Sequence, residues 1–97
     1  MNLRKLARGE PCQIRIPGAC NDNVETTVLA HYRLAGFCGT GSKPPDWMAA
    51  WACSACHDAV DRRHSVTDYT SDALHRMHAE GVLRTIGKLI DMGVIKP

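Results

Sequence analysis

Cys53-Ser54-Ala55-Cys56, set against an earlier pair at Cys12 and Cys20, constrains this chain more than any other feature of it. Two thiolates at that spacing reach one tetrahedral Zn²⁺ at about 2.3 Å, and a turn flanked by two more cysteines supplies the other corners. A knot of this kind ties the N-terminal turn to the middle of the chain. At 97 residues, five of them aromatic, the chain has a modest core of mostly aliphatic residues, and a domain of that size is stabilised by a staple.

Residues 1–10 contain Arg4, Lys5 and Arg8 but no apolar run of the length that a signal peptide or a membrane span requires. The expectation is a cytoplasmic protein without membrane association. In a reducing compartment a CxxC pair reads as a metal clip rather than as half of a disulfide framework. The plain alternative is a set of reduced, buried thiols. Five cysteines leave one over: Cys38, in a glycine-rich stretch, is a free thiol or an exchange ligand for Cys20. Cys53 to His57 also spells the CxxCH haem-attachment signature, but that chemistry would leave Cys12 and Cys20 without a role. A thioredoxin-like site lacks the βαβ frame it needs.

The net charge of +2 permits nucleic-acid binding without announcing it. Residues 1–43 hold six Lys/Arg against three Asp/Glu, a mild positive field around any site formed there.

No repeat, low-complexity tract or linker divides the sequence, so residues 1–97 read as one α+β domain. Residues 13–16 look extended and run into a tight turn at Pro17-Gly18, giving a cysteine turn over 12–20. Residues 26–32, β-branched and apolar, predict a strand that delivers His31 near its end. The glycines and prolines of 36–45 make the wide turn of a hairpin spanning about 26–52, whose return strand is 48–52. Ser54 is the candidate cap of a short helix over about 54–64, with an acidic residue early and Arg62 and Arg63 late. Ser71 is the candidate cap of a longer helix over about 71–92, with Leu74, Met77, Val82, Ile86, Leu89 and Ile90 as its apolar stripe and Gly81 marking a break or a close approach. That stripe serves a core or a homodimer face.

His57 follows the CxxC directly, so a metal that fixes Cys56 also fixes where this imidazole points. Asp61 and His64 lie four and seven residues further, on the same helical face; Asp61 as donor suits Mg²⁺, His64 a softer ion. The blander fate of Asp61, Arg62 and Arg63 is a solvated surface. Histidine exchanges its proton near neutral pH, and His31, beside Arg33, is the best general-base candidate. His75 and His78 fall on the long amphipathic helix as surface or packing residues.

Taken in order, Cys12-x7-Cys20, Ala30-His31-x-Arg33, Gly39-x-Gly41-x-Lys43-Pro44-x-Asp46, Cys53-x2-Cys56-His57-Asp58 and Asp61-Arg62-Arg63 form a pattern. It resembles the YbcO-like nucleases of lambdoid prophages, themselves similar to the HNH (His-Me finger, ββα-metal) endonucleases. The resemblance implies a zinc-bound ββα-metal core with an N-terminal cysteine turn and a C-terminal helical segment. It places His31 as general base, His57 as ligand of a catalytic ion, and Asp46 where the family's central Asn braces the loop. Two residues depart from the pattern: Ala30 stands where a metal-binding Asp or His is common, and Asp46 replaces the Asn. The ion then falls to His57 with Asp61 or His64 and the substrate's phosphate.

The activity implied is endonucleolytic hydrolysis of DNA phosphodiesters, with structural Zn²⁺ at the four cysteines and Mg²⁺ or another divalent cation at His57. His31 would deprotonate the attacking water, while Arg33 and Lys43 hold flanking phosphates and read little sequence. The competing class is a non-catalytic zinc module that binds nucleic acid or a phage or host recombination protein. It keeps the cysteine site and assigns no chemistry to His31 and His57.

Overall fold

The computed structural model describes residues 2–34, 36–37, 43–61 and 67–96. Among them the chain forms a small α+β fold of three α-helices and one two-stranded sheet: α1 (Leu3–Ala7), β1 (Val28–His31), β2 (Ala49–Ala52), α2 (Ser54–Asp61) and α3 (Ser71–Asp91), with a single 3₁₀ turn at Val24–Thr26. No helix among the described residues is long and apolar enough to cross a membrane.

The strands pair antiparallel, with Val28 opposite Ala52 and His31 opposite Ala49. All four residues of β2 are buried, which is why so small a sheet can serve as the centre of the core. The amide N–H of Tyr32 donates to Met48 O at 2.9 Å, so the even-numbered residues of β1 face β2 through hydrogen bonds and the groups of Trp51 turn outward. Both find partners: Trp51 N–H donates to Thr85 Oγ1 at 2.9 Å, and Trp51 O accepts from Gln13 N–H at 2.7 Å.

α3 packs along this sheet, presenting Leu74, Met77, Val82, Thr85 and Leu89 as its buried face. Gly81 in mid-helix causes no break. A Cβ there would stand 2.9 Å from Ile14 Cγ1 and 3.1 Å from Ile14 Cα, so its absence lets the N-terminal segment lie directly on the helix. The helix ends in a Schellman arrangement: Val94 N–H reaches Leu89 O and Gly93 N–H reaches Ile90 O, both at 2.9 Å.

Four local expectations are corrected. The N-cap of α3 is Thr70, whose side chain accepts from Ala73 N–H, and not Ser71, which is already helical. The residue preceding α2 is Cys53, and Ser54 lies inside the helix. Its first turn holds no acidic residue, because Asp58 belongs to the second; Arg62 and Arg63 lie outside the described residues. Residues 13–16 form no strand: the chain bends at 13–14, and Arg15 sits in the left-handed region at φ 56°. α1 was not anticipated. Asn2 caps it, its Oδ1 accepting from Arg4 and Lys5 N–H, while Ala7, Leu3 and Leu6 pack with Trp51 and Leu89.

Candidate active site and candidate metal centre

The four cysteines at 12, 20, 53 and 56 converge although 33 residues separate Cys20 from Cys53. Cys20 is brought in by the turn before it: Ile16 O accepts from both Ala19 N–H (3.1 Å) and Cys20 N–H (2.9 Å). Pro17 presets that turn, and Gly18 takes the φ of +80° that its third position requires. Cys53 directly follows β2, and Cys56 lies in the first turn of α2 with its N–H on Cys53 Sγ at 3.4 Å. Thr26 and Asn21 clamp the same helix end, since Ser54 N–H donates to Thr26 Oγ1 and Asn21 Nδ2 donates to Ser54 Oγ, each at 3.1 Å.

All four Sγ atoms lie within 4.8 Å of one another. Cys20 and Cys53 are 3.8 Å apart, and a tetrahedral ion with metal–sulfur bonds of about 2.3 Å sets its sulfurs about 3.8 Å apart. The donor set fits a metal ion, with three of the four thiols buried. A hydrogen bond from Cys56 draws the Cys12 thiol down to about 4, the same contact pushes Cys56 far up, and burial pushes Cys20 up to about 12. Cys38 lies outside the described residues.

A cleft of about 720 Å³ borders β1. His31 at the strand's end lines it, together with Arg33 and Lys43 from the hairpin loop and His57 and Asp61 from α2. Arg4 and Arg8, which the sequence reading did not assign to the site, complete its basic wall. The signal that placed them was the apolar spacing of Leu3, Leu6 and Ala7 behind the Asn2 cap, too short to register as a period.

His31 Nε2 lies 2.8 Å from Asp46 Oδ1. The carboxylate accepts from Nε2–H, which leaves Nδ1 as the free base of the neutral ring. Arg4 Nε approaches the same oxygen at 3.8 Å. On α2, His57 Nε2 and Asp61 Oδ2 are 3.0 Å apart across one helical turn, so their donor atoms share a face beside the cleft. His64 lies outside the described residues.

Ala30 is fully buried and belongs to the same core cluster as Cys12, Cys53 and Cys56. The residue before His31 therefore points away from the cleft. Its carbonyl is 2.8 Å from Nε2 of His78, a buried histidine that acts as packing under the strand. Burial holds the His78 pKa below its ordinary value. Tyr32 meets the rings of His75 and His78 edge-on, at 5.5 and 5.1 Å between centroids.

The family model described as "Putative nuclease YbcO" matches residues 1–94. The chain is 55% identical to the protein of that name from Escherichia coli (strain K12), covering 98% of this chain and 97% of the relative. The same figures hold for its namesake from Enterobacteria phage 82. A solved structure titled as a putative bacteriophage protein from Escherichia coli K-12 superposes with a TM-score of 0.79 at 48% identity, covering 95% of this chain and all of the other. With likeness of this extent in sequence and in fold, the chain belongs to the YbcO family.

Proposed function

We propose that this chain is a metal-dependent endonuclease of the HNH type that hydrolyses phosphodiester bonds in DNA. The observation that carries the reading is the His31–Asp46 pair at 2.8 Å, on a cleft shared with His57 and with the cations of Arg33 and Lys43. Such a pair is the machinery for taking a proton from water: Asp46 fixes the tautomer, and Nδ1 of His31 receives the proton. Arg33 and Lys43 bind the flanking phosphates, and Arg4 and Arg8 extend that track along α1.

The resident metal at Cys12, Cys20, Cys53 and Cys56 is read as zinc, because four soft thiol donors at tetrahedral spacing suit that ion. It serves folding, since it ties the N-terminal turn to β2 and α2. A divalent cation such as Mg²⁺, held by His57 and Asp61 and completed by the substrate's phosphate, supplies charge stabilisation to the departing oxygen when bound. With Ala30 in the core, the residue before His31 offers that ion no donor.

The test is incubation of supercoiled plasmid with the purified protein and Mg²⁺ or Mn²⁺, beside His31→Ala. Nicking by the unaltered chain, lost in the variant at unchanged metal content, supports the reading. Equal nicking by both removes His31 from the chemistry, and no nicking by either leaves the chain as a binding module.

A further inference from the structure

The chain has five aromatic residues, and two of them stand together in solvent. Phe37 is 49% exposed and Trp47 46%, whereas Trp51 is 1% exposed in the core. The exposed rings are 6.1 Å apart between centroids and cross at 87°. Each is held by its own turn: Phe37 N–H donates to Leu34 O at 3.0 Å, and Met48 N–H, next to Trp47, donates to Pro45 O at 2.9 Å. Trp47 follows Asp46, which holds the His31 ring. The pair sits on the hairpin loop that also carries Arg33 and Lys43 into the cleft.

We infer that Phe37 and Trp47 form a stacking platform for unpaired bases, so that the substrate is DNA with a single-stranded stretch beside the bond to be cut. The inference rests on the nuclease reading and gives it a substrate class. Complementarity of two kinds meets on one loop, whose residues Arg33 and Lys43 line the cleft and whose Trp47 follows the Asp46 that bonds His31. A loop that carries cations as well as exposed aromatic rings matches a ligand with an anionic backbone and flat apolar bases, and each base stacked this way adds to binding without regard to its identity. A fully paired duplex keeps its base faces covered and offers these rings only edges and phosphates. Two perpendicular rings also form a corner: a base lying flat on one meets the other with its edge, which fixes position without reading sequence.

The test uses the full-length protein without added divalent cation, and a fluorescein-labelled twelve-nucleotide oligothymidylate beside a labelled duplex of equal length, read by anisotropy. Trp47→Ala and Phe37→Ala each weaken binding of the single strand about tenfold or more, consistent with loss of one base stack. Duplex binding changes little, and Trp47→Phe restores most of the single-strand affinity. Because both rings are exposed, metal content and far-UV circular dichroism stay unchanged in the variants. Three outcomes overturn the inference: no binding of the single strand by the unaltered protein, equal affinity after Trp47→Ala, or an equal loss on both DNAs. Trp47-dependent self-association in place of DNA binding also overturns it, since a second copy is then the occupant. Single-strand binding that depends on Trp47, found without cleavage of any DNA, sustains the platform and sinks the nuclease; cleavage indifferent to Trp47 does the reverse.

Discussion

His31 and Asp46 are 15 residues apart in the chain and 2.8 Å apart in the fold. The bond orients a ring that would otherwise swing at the end of a strand, and it decides which nitrogen is free. Asp46→Ala should therefore lower the rate of plasmid nicking by about tenfold or more at nearly unchanged DNA affinity, while His31→Ala should lower it by roughly 10²–10⁴-fold. Asp46→Asn keeps an acceptor for Nε2–H and should retain more activity than the alanine variant. Single-turnover nicking rates, with affinity measured separately, check the order.

The cysteine cluster predicts about one tightly held zinc per chain, lost in Cys53→Ala and in Cys12→Ala. Chelation should unfold the protein or lower its melting temperature strongly, because a loss of even about 3 kcal/mol shifts a domain of this size by roughly 12–24 °C. Metal analysis and a melting curve with and without chelator decide it. A stable, zinc-free protein would remove the metal from the fold.

Arg33 and Lys43 line the cleft as exposed cations. Replacing either by alanine should weaken DNA binding similarly across sequences and reduce the slope of log K against log salt by about one. Arg8→Ala, on the same cleft, should do the same if the phosphate track reaches α1. Binding at three or more salt concentrations supplies the slopes.

Gly81→Ala places a methyl group within 2.9 Å of Ile14 Cγ1 and 3.2 Å of Gln13 O. Alanine's better helix propensity does not offset that overlap, and the variant should lose about 1–3 kcal/mol. A urea midpoint measures the loss. The neighbouring Gly87 has open space around its missing Cβ and serves as the control, where alanine should stabilise by up to about 1 kcal/mol.

His78 sets a pH dependence. Burial lowers its pKa below 6.5; the Ala30 carbonyl and Asp61 act in the opposite direction, while His75 and His57 reinforce the lowering. The unfolded chain then binds the proton more readily than the folded one, so stability is full above about pH 6.5 and falls as the pH drops through the window below it. His78→Gln, which keeps a donor for Ala30 O, should flatten that fall between pH 6.5 and 5. Urea midpoints at several pH values, compared between the two proteins, show whether the slope changes.

Much of this could be read from residue order, where a signal was long or chemically specific. The apolar stripe from Leu74 to Ile90 announced α3, and the cysteine spacing announced the cluster that the fold brings together. The unread parts are short or depend on distant contacts. α1 spans five residues, less than two turns, so no period could emerge and Arg4 and Arg8 went unassigned. The segment 13–16 has strand-like composition, but Arg15 adopts positive φ and Ile14 settles against Gly81, a contact visible only once α3 is in place. Thr70 displaced Ser71 as cap because both are good capping residues and sequence alone does not choose between neighbours.

The outward groups of Trp51 are occupied by Gln13 and Thr85, so the sheet is closed on the β2 side. The same alternation turns the amides of Leu29 and His31 outward on the β1 side, toward the cleft that Arg4 and Arg8 overlook. Two copies trying to extend one another's sheets along this margin would bring four arginines together, and like charge at close range opposes the approach. A polyanion meets no such barrier. On the proposed reading, the same guanidinium groups would oppose sheet-to-sheet pairing of two copies while leaving the margin open to nucleic acid.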